Sequence, residues 1–247
     1  MTGGTATSLF KERWLGESIR VTYFVPQPLS KQTSLASLIG LVPEQISDRP
    51  AQGIRQEIVS FGQGKLILGE TPGRVDVIYA ADQPQGLSPV VHVGPLEEAF
   101  SRCSDLGRQL CEKLGPVARL AIAPIAIRQL GSEREVAEVM LHHFPTLPVN
   151  LDTDSELAWR FSRRISATTF KGQINQVCNW QSMTTQVFTG SIPMTLPFSE
   201  GLKIFLLRAE IDINTYTNNP VAIFEMETIQ VYQEVFERAK AILEGLA

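Results

Sequence analysis

The stretch from Leu202 to Leu246 constrains the fold most, because its hydrophobic period changes part-way along. In Leu202–Asn214, the residues Phe205, Leu207, Ala209, Ile211 and Ile213 alternate with Arg208, Glu210 and Asp212. A period of two puts the apolar set on one face and the charged set on the other, as a half-buried strand requires. From Thr228 onward, Tyr232, Val235, Ala239, Ile242 and Leu246 recur at steps of three and four, and Ile229, Phe236 and Leu243 widen the stripe. That is an amphipathic helix. Each element offers one apolar face, and packing helix on strand buries both.

The same reading organises the rest of the chain. Ile19, Val21, Tyr23 and Val25 mark a first strand that Pro26 and Pro28 end, and Ser34 caps a short helix through Leu41. Ser47–Gly53 reads as a polar connection. Ile54–Phe61, Lys65–Gly69 and Arg74–Ala81 read as three strands joined by tight turns, the first at Gly62-Gln63-Gly64 and the second, of type II, at Thr71-Pro72-Gly73. Asp82–Pro89 is a loop. Gly94 and Pro95 then open a long helix with Leu96, Ala99, Phe100, Cys103, Leu106, Leu110 and Leu114 on its buried side, and Gly115-Pro116 closes it.

Val117–Leu130 is a long apolar strand whose Pro124 predicts an edge position or a bulge. Ser132 and Glu135 form a capping box for a helix that ends at His143. Strands over Leu157–Ala167 and Ile174–Phe188 lead back to Leu202. The expected class is therefore α+β, mainly antiparallel sheets with helices on one face. A tail over 1–16 precedes two halves, 17–115 and 116–247, packed as a single unit. Each half reads strand, helix, three strands, helix, so a pseudo-repeated β-α-β-β-β-α unit is an expectation that element order alone carries.

Composition narrows the function classes. The 247 residues are 43% hydrophobic and 19% charged, enough for a full core and unlike a disordered chain. A net charge of −4 gives no support to non-specific nucleic-acid or membrane-surface binding. No apolar run approaches the ~20 residues of a membrane span, and Met1–Ser8 lacks the pattern of a signal peptide. A cytoplasmic location is the expectation. Cys103 and Cys111 stand about 12 Å apart along one helix, too far for a disulfide, and with Cys178 they read as buried thiols.

Phe61-Gly62-Gln63-Gly64-Lys65 lacks the preceding glycine and following hydroxyl of a phosphate loop, so it reads as a hairpin. His142 and His143 are adjacent and diverge around a helix, which suits the helix C-terminus better than a metal; His92 is isolated. No catalytic residue, metal ligand or cofactor is expected.

Two polar groups are the candidate binding residues. Arg160 and Arg164 lie on one face of a strand and would pair with Glu210 and Asp212, beside Arg208, if the strands are neighbours; such a set is either a solvated ladder or an anion-binding face. Arg163 falls on the apolar face and calls for a carboxylate partner. The second group is Asn175, Asn179, Trp180 and Gln181, an amide-rich stretch able to read a peptide or base edge, or simply a polar strand edge.

The motifs Trp159-Arg160-Phe161, Glu210-Ile211-Asp212-Ile213-Asn214 and Tyr232-Gln233-Glu234-Val235-Phe236 resemble a scattered family of uncharacterised bacterial proteins. The resemblance covers about a third of the chain and implies a bacterial cytoplasmic protein, with no activity to carry over. The leading expectation is a non-enzymatic interaction or assembly subunit that binds a protein partner or itself. The alternative is a small-molecule binder with an apolar pocket between the last helix and the sheet, walled by Tyr216, Tyr232, Phe236 and Trp180. An enzyme using Glu210 and Asp212 ranks third.

Overall fold

A computed structural model describes residues 14–25, 34–82, 90–187, 201–216 and 228–244. Its frame is one antiparallel sheet of nine strands: β1 (Leu15–Phe24), β2 (Gln45–Arg49), β3 (Ile54–Phe61), β4 (Gly64–Thr71), β5 (Arg74–Ala81), β6 (Arg119–Leu130), β7 (Ala158–Ser166), β8 (Gln173–Val187) and β9 (Leu202–Tyr216). The spatial order is β2-β3-β4-β5-β1-β6-β9-β8-β7. The first strands of the two expected halves, β1 and β6, pair at the middle and fuse the halves into one sheet.

Among the described residues the α-helices are α1 (Leu35–Ile39), α2 (Leu96–Leu114), α3 (Glu133–His143) and α4 (Thr228–Leu243), and all pack on one face of the sheet. That face carries Ile19, Val21 and Tyr23 of β1, Leu120 and Ile122 of β6, and Leu207, Ala209, Ile211 and Ile213 of β9, all buried. Each isoleucine, leucine and valine among them contributes about 1.5–3 kcal/mol on removal from water. The expected α+β class with helices on one face is what the chain forms.

Helix α2 crosses close to α4 because Gly107 lacks a side chain. A Cβ there would lie 2.2 Å from the Tyr232 hydroxyl. Tyr23, from the sheet below, donates to the Gly107 carbonyl at 2.8 Å. Ser34 and Ser37 cap α1 reciprocally. At α3 the Ser132 hydroxyl accepts from the Glu135 amide at 3.2 Å, while the Glu135 carboxylate accepts from Gly131 rather than from Ser132.

Three expectations change. Part of the connection at Ser47–Gly53 belongs to β2, an edge strand whose five residues are all exposed and which therefore lacks the alternation that marks a strand. Among the described residues the second half has no counterpart to it, which breaks the repeated order. Next, of the two alternatives that Pro124 leaves, the edge position does not hold, because β6 is central, while a register irregularity does fall beside it, between Gly16 and Ser18 of β1 opposite Ala126 and Ile125. Proline opposes Ile19 on the β1 side, and pairing with β9 lapses between Ile122–Ile213 and Ile125–Glu210, where the missing N–H would have been needed. Finally, α2 starts at Leu96 with Pro95 at its N-cap, one residue later than expected. Of the expected tail over 1–16, Leu15 and Gly16 belong to β1 and Trp14 packs against the core; residues 1–13, the loop at 83–89 and the end of the last helix at Leu246 lie outside the described residues.

Candidate functional site

The face of the sheet away from the helices is built by strand register. One row across it runs Ser18, Ile125, Glu210, Asn179 and Arg160; a neighbouring row runs Ile78, Arg20 and Ala123. A shallow cleft of about 500 Å³ opens where the β6–β9 pairing lapses, lined by Ser18, Arg20, Arg160, Asn179, Glu210 and Asp212.

The expected pairing of Arg160 and Arg164 with Glu210 and Asp212 does not form. Strand β8 lies between β7 and β9, so the two sets stand about 10 Å apart across two strand spacings. The amides of β8 span that gap. Arg164 Nε donates to Asn175 Oδ1 at 3.0 Å, Asn175 Nδ2 to Asn214 Oδ1 at 3.1 Å, and Asn214 Nδ2 to Asp212 Oδ1 at 2.9 Å. Two rows along the same face, Asn179 Nδ2 reaches Glu210 Oε2 at 3.4 Å. Arg208 instead holds Glu17 through two bonds, at 2.8 and 3.1 Å, and contacts Glu210. These bonds hold its charge firmly, with Glu17 the larger influence, so its pKa rises above the usual arginine value.

Strand β7 forms one edge of the sheet. The Ser182 amide donates to the Leu157 carbonyl at 2.7 Å and the Ala167 amide to the Gly172 carbonyl at 3.1 Å. These flanking bonds set the antiparallel alternation, so the peptide groups of Ala158, Arg160, Ser162, Arg164 and Ser166 point away from β8. The Ser166 carbonyl is taken by Arg238 at 3.5 Å. Among the described residues no other strand meets the remaining four. Arg160 and Arg164 project from this edge on the open face, about 13 Å apart. No ion pair among the described residues uses Arg160, Arg163 or Arg164. Arg164 also stacks over Tyr216 at 4.1 Å.

Several sequence expectations are corrected here. Trp180 is 0% exposed and sits in the core against Trp14, His143 and Phe144, whereas its neighbour Asn179 faces outward. Adjacent strand residues face opposite ways, so the two cannot act on one ligand from one face. Arg163 finds an amide rather than a carboxylate: its Nε donates to Gln176 Oε1 at 2.5 Å, and its guanidinium lies over Phe161. His143 does not serve as a cation at the α3 C-terminus. Burial, then the neighbouring His142 and Arg128, pushes its pKa down to about 4. Of the four expected pocket walls, Phe236 alone lines a cleft on the helical side; Tyr216 is on the open face, and Tyr232 and Trp180 are packed in the core.

Burial pushes all three cysteine thiols up to about 12, leaving them protonated at neutral pH and poor nucleophiles. Among the described residues no group of three or more His, Cys, Asp and Glu side chains could hold a metal ion. None of the described helices is long and apolar enough to cross a membrane. One residue escaped the sequence reading. Arg128 continues the core phase Leu120, Ile122, Pro124, Ala126 and is buried; a charge in phase with an apolar stripe was the signal. Comparison with protein-family models and with curated proteins finds no match to this chain.

Proposed function

We infer that the protein is an interaction subunit whose β7 edge receives an extended acidic segment of a partner as a tenth strand. The observation that carries this reading is the pairing of open peptide groups at Ala158, Arg160, Ser162 and Arg164 with arginines that have no carboxylate partner among the described residues. Backbone hydrogen bonds supply affinity in such strand addition, and alternate side chains supply choice. The partner would carry carboxylates four residues apart on one face, matching Arg160 and Arg164. Asn179 and the cleft beside it would take the next side chain inward.

Symmetric pairing of two β7 strands about Ser162 is disfavoured, because it sets Arg160 against Arg164 twice, and like charges directly opposite are destabilising. An arginine-bearing edge also resists indiscriminate edge-to-edge aggregation, which is compatible with admitting one complementary strand. The test is fluorescence anisotropy with a peptide of about nine alternating valines and threonines carrying two glutamates four apart. Binding that a lysine version lacks, that Arg160→Glu with Arg164→Glu abolishes, and that protects the β7 amides from hydrogen exchange supports the reading. Equal binding of acidic and basic peptides, or protection elsewhere, would overturn it.

A further inference from the structure

Over residues 120–126 the central strand β6 is apolar on both of its faces. Toward the helices it turns Leu120, Ile122 and Ala126, all buried. Toward the other side it turns Ala121, Ala123 and Ile125, all half-buried. A strand with one solvated face alternates apolar and polar residues, whereas an unbroken apolar run belongs to a strand covered on both faces. Among the described residues the helices cover only one. On the uncovered side a row runs from Ile78 and Arg20 to Ala123, and Asp212 and Val177 continue it beyond. The register of β6 and β9 is the same on both sides of their lapse, so Ala123 stands opposite Asp212.

Opposite charges flank this apolar strip. Arg20 is exposed, Asp212 is half-buried, and neither makes an ion pair among the described residues. Asp212 accepts only an amide, from Asn214 at 2.9 Å. The width of β6 keeps the two charges about 10 Å apart within one chain. The row is nevertheless complementary to itself. Turned over about an axis along β6, a second copy would set its Asp212 over Arg20 and its Arg20 over Asp212. The same turn puts Val177 over Ile78 and Ala123 over its own counterpart. An axis across the strands would instead set arginine on arginine and aspartate on aspartate, which like-charge repulsion opposes. At about 4.8 Å per strand and about 3.3 Å per residue, the five strands from β5 to β8 offer about 550 Å² over seven residues of height. Two such faces bury about 1,100 Å², above the ~1,000 Å² that a specific interface needs.

We propose that two copies of this chain pack their uncovered sheet faces together about a two-fold axis along β6, with Arg20 of each copy paired to Asp212 of the other. The contact is isologous and closes on itself as a dimer. Strand β7 lies third from the axis, and its edge peptide groups point along the sheet, so that edge stays open to a further strand.

Sedimentation velocity of the full chain, loaded from about 1 to about 100 μM, is expected to show a reversible monomer–dimer equilibrium. Ala123 meets its own counterpart on the axis, so Ala123→Glu brings two carboxylates together and should weaken the dimer at least about a hundredfold. Arg20→Asp and Asp212→Arg should each give monomers, because each sets like charges opposite one another twice. Mixed in equal amounts, the two charge variants should form a heterodimer, since both contacts then join opposite charges. Ala123→Cys keeps a small side chain should the charged variants not fold. It should cross-link to its own counterpart through a short bismaleimide, the three native thiols being buried. A chain that stays monomeric over the whole range, a dimer that folded Ala123→Glu leaves intact, folded charge variants that do not combine, or an Ala123→Cys protein that does not cross-link would each overturn the assignment.

Discussion

The hydroxyl of Tyr232 donates to the main-chain carbonyl of Cys103 at 3.0 Å and ties the last helix to α2. Its ring fills the space that the missing side chain of Gly107 leaves, so the tyrosine and the glycine are two halves of one crossing. Gly107→Ala should therefore destabilise the protein by about 1–3 kcal/mol through overpacking. Tyr232→Phe should cost about 1 kcal/mol for the lost hydrogen bond. Together they should cost less than the sum, because the hydroxyl oxygen is the atom nearest the added methyl. Urea denaturation of the two single variants and the double variant measures that coupling.

Glu234 of α4 clamps the turn between β7 and β8. Its carboxylate accepts from the Thr168 and Thr169 amides and the Thr169 hydroxyl, and pairs with Arg238 at 2.6 Å. Burial raises its pKa, but the bonds from Thr169, Arg238 and Thr168 outweigh that and bring it to about 2. A carboxyl depressed in the folded state contributes stability above its unfolded value, near 4.5, that is lost as pH falls towards 2. The loss should be about 2–3 kcal/mol, and Glu234→Gln should flatten that limb of a stability–pH curve measured by denaturant titration.

His143 acts over the adjoining window. Its imidazole is held neutral by burial and by His142 and Arg128, so the unfolded chain takes up a proton first as pH drops below 6.5. Stability should fall from pH 6.5 to about 4 and then level off for this group. Because the ring is half-buried, solvent screening reduces the effect to about 1–2 kcal/mol. Replacing His143 by Phe should remove this slope, and an NMR titration of the ring should place its midpoint near 4.

How far the chain could be read from its residues depends on whether the cause is local. The period-two pattern of β9 and the apolar stripes of α2 and α4 are local, and those elements form where the patterns put them. Strand β2 has no buried face, so nothing in its residues distinguishes it from a loop. Pro124 leaves an edge position and a bulge both open: β6 is central, a lapse in its ladder with β9 accommodates the missing donor, and the register irregularity lies one strand over, between Gly16 and Ser18 of β1. The partners of Arg160 and Arg164 depend on which strand lies beside β7, and strand order is a property of the whole sheet. Asn179 and Trp180 are adjacent in sequence, and the alternation of a strand sends them to opposite faces. Arg128 was legible in phase but hidden by its apolar neighbours.

Arg208 links the first described strand to β9 across the sheet's open face, binding Glu17 with both carboxylate oxygens and Glu210 beside it. The pair with Glu17 spans 191 residues of sequence, and both side chains are partly shielded, 19% and 33% exposed. A bidentate pair in such a setting exceeds the fraction of a kcal/mol typical of surface ion pairs. Arg208→Met should destabilise by about 1–2 kcal/mol, and Glu17→Gln by less, because Glu210 still holds the arginine. A double-mutant cycle should show a coupling of about 1 kcal/mol that shrinks in high salt. A coupling near zero at low salt would mean that side-chain ordering offsets the attraction, and that backbone pairing between β6 and its neighbours alone holds the two halves of the sheet in register.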